Sequence, residues 1–536
     1  MTLPLSWFHV PSATSKSSYA FEGARGRIEW PTRHGCNLGG AGIWNFLWRL
    51  GARPAEPELA RDGHLLIVLD GPLPEAAARE LRAKIEGRRG WVIAAGDASA
   101  LQGLLPQGIA IVGETSPFPY AALGWTGLVG DSAQIIAPPG WQFFRVTSGD
   151  KWVETFGDLV ALGGDRQSPE RALRIPLKAP AAIRLGQLIL LNGNPFSALQ
   201  AWLQGQEDLE PWLAWRHGVF WLDEQVEFLA DALERFGFPL AEAETPGVVT
   251  LPSTTIVLRH DLDSSRDMSF LAAAQAVGVG ATHAVLLDAN TDFWTKTLAA
   301  ATAHEAAFHY DTLRSDSVVE RLRRIGGWRP ATEYRPGYRT VAGHGLLRQV
   351  RAARSRSVGV RTLHRHASFI RYPEFVDALD YVFSEEPEVL GASSFFRGQI
   401  LRWGIDRCDG ARGTVGQFPS PMFPYWMPFR PAHAGDGGRL LSGFESTSMM
   451  ECEPALVAQI LDYRPRRLRQ RVLTLSYHPF HAHRPTFNTE GTLVWFQEIL
   501  LLLKEQNVCV LSLAEVLARC HQDLTERVSG RHGKSD

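Results

Sequence analysis

IVLRHDLD, residues Ile256 to Asp263, passes from three aliphatic side chains straight into a dense ionisable cluster. Ile256, Val257 and Leu258 predict a short buried strand, and Arg259, His260, Asp261 and Asp263 load its C-terminal end. In α/β folds with parallel strands, catalytic groups gather beyond the C-terminal strand ends, so two carboxylates spaced like these reach into one pocket. Side by side they repel, and the repulsion is relieved when one binds a cation and the other keeps or takes a proton. The same residues also suit a helix start, with Asp263 and Ser264 opening the run SSRDMSFLAAAQAVG. The two readings are compatible.

Further strands follow downstream. ATHAVLLD (281–288) predicts a second strand, and a helix runs from Phe293 to Ala303. HEAAFH (304–309) ends in His309, RTLHRHASF (361–369) places His364 and His366 two apart on one face of a strand, and VLTLSY runs into His478. His481 and His483 are expected to face solvent. FESTSMMECEP (444–454) reads as a Ser/Thr helix start without identifiable chemistry. Phe395 to Arg430 is rich in Gly, Pro and aromatics and suits a loop covering a cleft, where Trp403, Phe423, Tyr425 and Trp426 would stack on a sugar or pack beneath the loop.

These motifs, in this order, resemble the polysaccharide deacetylase family of carbohydrate esterases, in the branch that opens with R-H-D-x-D. The resemblance covers Leu251 to about Leu524 and implies an irregular (β/α) barrel with fewer than eight strands. It implies Asp261 as catalytic base, Asp263 and His309 as metal ligands, and His478 as the general acid that protonates the leaving nitrogen. Arg335, in EYRPGYRT, is the implied partner that orients Asp261. The family's second metal histidine falls at Leu313 here, so a third ligand is expected from His366, with His364 the alternative. The implied activity is hydrolysis of an N-acetyl or O-acetyl group on a glycan or sugar conjugate, with a divalent metal, zinc by the His/Asp set. A non-catalytic glycan-binding module and a metal-dependent amidase acting on a small cytosolic substrate are the competing readings.

At 536 residues the chain exceeds a single ordinary core, so two or more domains are expected. Its formal net charge of -2 gives no support for a nucleic-acid partner. Cys36, Cys408, Cys452, Cys509 and Cys520 are scattered and form no C-x-x-C pair, which argues against a disulfide framework and for a reducing compartment. MTLPLSWFHVPSATSKSS lacks a basic segment followed by a long apolar run, and no stretch is long enough to span a bilayer; a cytoplasmic protein without a transmembrane segment is expected.

The N-terminal part, 1–205, shows an α/β rhythm. HLLIVLD (64–70), WVIAAGD (91–97) and IAIVGE (109–114) predict strands, with a helix over PEAAARELRAKIEG and a further strand in GQLILLNGNPF. Short joins of this kind imply a parallel sheet. Short alternating pieces between Ala137 and Lys178 predict a small antiparallel β insertion. The rhythm resembles flavodoxin-like domains related to class I glutamine amidotransferases, although no nucleophile-elbow context surrounds Cys36, and the domain is expected to be non-catalytic. A connecting helix and linker occupy 206–247, the deacetylase-like barrel 248–524, and a polar tail 525–536.

Overall fold

The computed structural model describes residues 5–10, 17–23, 26–32, 53–54, 63–69, 71–87, 90–115, 121–126, 134–137, 142–148, 153–163, 173–194, 251–310, 338–365, 388–394, 427–428, 444–462, 470–486 and 488–519, with a few isolated positions besides. The chain divides into two compact units, Met1–Ala20 with Asn37–Ala243, and Phe21–Cys36 with Glu244–Asp536. Among the described residues no helix is long and apolar enough to cross a membrane.

The first half of the chain contributes β1 (Leu5–Val10), β2 (Ser17–Gly23), β3 (Gly26–Thr32), β4 (Arg53–Pro54), β5 (His64–Leu69), β6 (Val92–Gly96), β7 (Ala110–Thr115), β8 (Ala121–Thr126), β9 (Gln134–Ala137), β10 (Gln142–Ser148), β11 (Glu154–Gly163), β12 (Leu173–Leu185) and β13 (Leu188–Leu191). Nine of them form one mixed sheet in the order β4-β1-β5-β6-β13-β12-β11-β8-β9, while β2 and β3 pair with each other. The sheet is parallel from β4 to β13 and antiparallel from β13 to β9. The apolar runs of β5, β6 and β13 are buried throughout, as continuous runs in a covered parallel sheet must be. Leu81 on α1 (Glu75–Glu86) and Leu101 on α2 (Ala98–Gln102) pack against them.

Two expectations change here. The strand in IAIVGE does not join the parallel sheet: β7 pairs antiparallel with β10 in a sheet of its own. Val112, Gly113 and Thr115 are exposed and Ile111 is its buried residue, so it lacks the two buried faces that a central parallel strand requires. Of the antiparallel pieces, β9 and β11 belong to the large sheet, where β12, β11, β8 and β9 extend the parallel half edge to edge, while β10 stands apart with β7.

The second half carries β14 (Thr254–Asp261), β15 (Thr282–Leu286), β16 (Glu305–Tyr310), β17 (Gly359–Arg365), β18 (Gly391–Ser394), β19 (Met427–Pro428), β20 (Phe444–Met450), β21 (Arg471–Tyr477) and β22 (Cys509–Val510). Its helices are α3 (Ser269–Val277), α4 (Thr291–Ala299), α5 (Tyr338–Ser355), α6 (Pro454–Asp462) and α7 (Thr492–Glu505). Seven strands pair in parallel around a ring, β14-β15-β16-β17-β18-β20-β21, and β21 returns to β14. β22 fits beside the N-terminal half of β14 at Thr255 and Ile256, while β15 takes Arg259 to Asp261 on the C-terminal half. FESTSMM is thus the strand β20 and not a helix start.

Alternation along β14 separates two environments. His260 packs against Phe270 of α3 and Phe496 of α7, on the helix side. Arg259 and Asp261 therefore face the side that the ring encloses. Near the N-terminal strand ends the Glu305 carboxylate accepts hydrogen bonds from Thr282 Oγ1 (2.9 Å), Thr362 Oγ1 (2.5 Å) and the Ala514 amide (3.0 Å), tying β15, β16 and β17 to the segment after β22.

Gly491, at the N-terminus of α7, has φ of +91°, and a Cβ there would stand 2.1 Å from the Ala482 carbonyl oxygen. Both penalties fall on the loop that follows β21. Gly491→Ala is expected to cost roughly 2–4 kcal/mol, combining left-handed strain with a backbone clash, as read from the urea midpoint of the variant against the parent.

Candidate active site

Four ionisable side chains meet beyond the C-terminal ends of β14, β16 and β21. Asp261, the last residue of β14, is wholly buried, and Arg259, two residues earlier on the same face, grips it through both carboxylate oxygens. The Nε donates to Oδ1 at 2.6 Å and an NH2 group to Oδ2. A planar guanidinium fork matched to a carboxylate is the geometry in which such a pair can be desolvated. Burial by itself would raise the Asp261 carboxyl, but the Arg259 charge, helped by the His309 and His478 rings, outweighs it and holds the group well below the usual carboxylate range.

Asp263 lies just past the strand with φ of +41°, and Ser264 follows at +62°. This turn brings Asp263 Oδ1 within 3.1 Å of His309 Nε2, at the C-terminal end of β16. His309 Nδ1 is 3.2 Å from the His364 carbonyl oxygen. A carbonyl only accepts, so Nδ1 carries a proton and Nε2 faces a carboxylate oxygen. That position suits a proton or a cation shared between Nε2 and the carboxylate. One imidazole with its proton held on the far side and one carboxylate form a donor pair suited to a borderline divalent ion. Among the described residues, no group of three His, Cys, Asp or Glu side chains stands at metal-binding spacing. His364 is buried on the same side of β17, with Nε2 at 3.3 Å from Thr362 Oγ1 and Nδ1 without a hydrogen-bond partner among the described residues. Burial, and then the Arg259 charge, push its pKa well down.

His478 directly follows β21. Its Nε2 is 3.7 Å from Asp261 Oδ2 and 3.6 Å from Asp263 Oδ2. On the other side its backbone N–H and Nδ1–H both donate to Glu451 Oε1, at 2.7 and 2.9 Å. Burial alone would lower the His478 pKa; the hydrogen bond to Glu451 and the charges of Asp263 and Asp261 push it up to about 9. Burial pushes the Glu451 carboxyl up, opposed by the bonds it accepts from His478. Glu451 is itself buried directly after β20, with its amide bonded to the Ser476 carbonyl (2.8 Å) and the Tyr477 hydroxyl donating to the next carbonyl, Cys452 O (2.7 Å).

Of the residues the sequence singles out, Asp261, Asp263, His309 and His478 come together, and His364 lies behind them. Arg335, His366, Leu313 and the aromatics Trp403, Phe423, Tyr425 and Trp426 lie outside the described residues. His483 is exposed as expected, but His481 is buried in the turn after His478. Two participants were missed. Arg259 makes an orienting contact to Asp261, and the i, i+2 spacing in R-H-D was the available signal. Glu451 was hidden because its strand lacks an apolar alternation.

No family model and no curated protein matches the chain. Among solved structures it is similar to alpha-L-fucosidase isoenzyme 2 from Paenibacillus thiaminolyticus, over 37% of this chain and 29% of that one, at 13% identity and a TM-score of 0.26. The chain therefore spans less than a third of the fucosidase's length. It is also similar to the Bc1960 peptidoglycan N-acetylglucosamine deacetylase, solved with a 4-naphthalen-1-yl-N-oxidanyl-benzamide, over 50% of this chain and 94% of that one, at 11% identity and a TM-score of 0.22. At these scores neither likeness carries an argument, and the chemistry rests on the geometry above.

Replacing Arg259 by Met leaves a buried carboxylate without its counter-charge, and denaturation should show a loss of roughly 3–5 kcal/mol. In chelator-treated protein, the His478 ring should titrate near pH 9 by NMR. Its folded pKa lies above the ordinary value of 6.5, so the stability it contributes is fully present below pH 6.5 and lost as pH rises through about 9. Glu451→Gln should move the titration downward and flatten that alkaline loss; an unmoved titration would remove Glu451 from this role.

Proposed function

We propose that the C-terminal unit is a metal-dependent deacetylase, built as a (β/α) barrel, that hydrolyses an N-acetyl or O-acetyl group of a glycan or sugar conjugate. The observation that carries this reading is the placement of Asp261, gripped by Arg259, 3.7 Å from His478, held by Glu451, beside the Asp263–His309 pair. Acyl hydrolysis needs a group that takes a proton from water and another that gives one to the leaving nitrogen or oxygen. Both groups here begin in the state their role requires.

Asp261 is the base. Arg259 keeps it ionised and fixes its orientation through both carboxylate oxygens. His478 is the acid, and Glu451, by holding Nδ1–H, fixes the ring so that the transferable proton sits on Nε2. Asp263 and His309 would hold the cation, zinc by the donor chemistry, with a further donor such as His366. Bound there, such an ion supplies Lewis-acid polarisation of the acyl carbonyl and neutralises charge in the transition state. After one turnover Asp261 holds the water's proton and His478 has lost one, so a transfer between them through solvent restores the resting state.

The test is acetate release from N-acetylglucosamine oligomers and from an O-acetylated sugar by zinc-supplied protein. Asp261→Asn and His478→Asn should each lower the rate by about 10²-fold or more, with metal content retained. Asp263→Ala and His309→Ala should lose both the metal and the activity. Unaltered acetate release from Asp261→Asn would sink the mechanism, and metal binding without turnover on any acylated substrate would favour a glycan-binding module.

A further inference from the structure

The helix side of β14 holds a second group of histidines that the proposed chemistry does not use. His260 Nδ1 lies 3.3 Å from His283 Nδ1, and His283 Nε2 lies 3.2 Å from His304 Nδ1. His260 and His283 are buried, His304 is half-buried, and the three rings form a chain running from β14 across β15 to the start of β16. Trp294 of α4 stacks on His283, and Phe270 of α3 and Phe496 of α7 close over His260. Because His283 uses opposite nitrogens for its two contacts, the rings do not converge on a point, and one cation cannot take all three.

Proton counting defines what this chain can do. Each contact needs one N–H and one lone pair. With all rings neutral, His283 donates through one nitrogen and accepts through the other. One added proton is accommodated, since a charged His283 can donate to both neighbours. A second proton, wherever it sits, sets N–H against N–H and breaks a contact inside a layer of aromatic rings.

We propose that the His260–His283–His304 chain is an acid-operated latch: neutral, it fastens β14 and β15 beneath the aromatic layer of α3, α4 and α7, and a second proton opens it. The inference is independent of the proposed deacetylase activity. The surroundings offer little compensation for charge. Asp261, one residue along β14, is the carboxylate whose field reaches His260, and it is engaged by Arg259. Among the described residues Tyr477 is a further titratable group packed into the layer, and burial drives its pKa well up. The charged residues of α4 and α7, Asp292, Lys296, Glu498, Lys504 and Glu505, are solvent-exposed, and α3 has none. In keeping with this, burial depresses all three rings, His260 to about 3 and His283 well below its ordinary value.

For a histidine with a depressed folded pKa, stability is present above the unfolded value of about 6.5 and lost as pH falls toward the folded one. Each ring kept neutral raises the unfolding constant by up to about tenfold per pH unit over that range. The experiment is urea unfolding of the full chain at pH 7, 6 and 5, beside His283→Gln/His304→Gln, whose amides hydrogen-bond but do not titrate. The parent's unfolding constant should rise between pH 6 and 5 by roughly fiftyfold more than that of the double variant. Equal rises would overturn the proposal. Should the double variant fail to fold, His304→Gln alone, at the half-buried end, should remove roughly a tenfold share. Ring-nitrogen NMR of the parent at pH 7 provides the independent reading: three rings with at most one added proton among them support the latch, and two cationic rings refute it.

Discussion

The second unit depends on a salt bridge within one strand. Arg259 and Asp261 are both fully buried, and neither charge could be left there without the other. Their i, i+2 relation means that the pleat of β14 sets their geometry before any other element docks. What the rest of the unit must supply is room and shielding. Small residues stand in register beside the pair: Ala284 opposite Asp261, Ala307 opposite Ala284, and Ser476 opposite Arg259. A guanidinium fits into the ring because its neighbours are small.

From this pair the site assembles outward by charge. The ionised Asp261 favours a protonated imidazole at His478, and that ring in turn binds Glu451, so negative and positive groups alternate from β14 to the end of β20. On the helix side the same strand carries His260, whose partners are other neutral rings. Burial lowers both histidines by itself, yet one ends near 9 and the other near 3. The difference lies in the partners, a carboxylate for one and imidazoles for the other.

Much of this was legible along the chain. β14, β15, β16 and β21 announce themselves as apolar runs ending in Asp or His, because strands buried on both faces need continuous hydrophobicity and the residue after them faces the crevice. The strand β20 was not legible: F-E-S-T-S-M-M has neither an apolar run nor an apolar alternation, and Ser and Thr suit a helix start as well as a strand. Losing that strand meant losing Glu451. In the N-terminal half, IAIVGE matches a parallel strand in composition, and only its half-exposed face shows that it belongs to a pair of its own.

The sequence by itself determined the residue types and the local spacing: two carboxylates after an aliphatic run, an arginine on the same face, and histidines at the ends of later strands. These follow from short-range periodicity, which any strand imposes on its own side chains. Tertiary structure alone decided which distant groups meet: that Glu451 holds His478, that Asp263 turns toward His309, and that His260, His283 and His304 form a chain. Those contacts join residues 21 to 46 positions apart in the chain. They depend on the order and register in which the strands pair, and no local pattern encodes that.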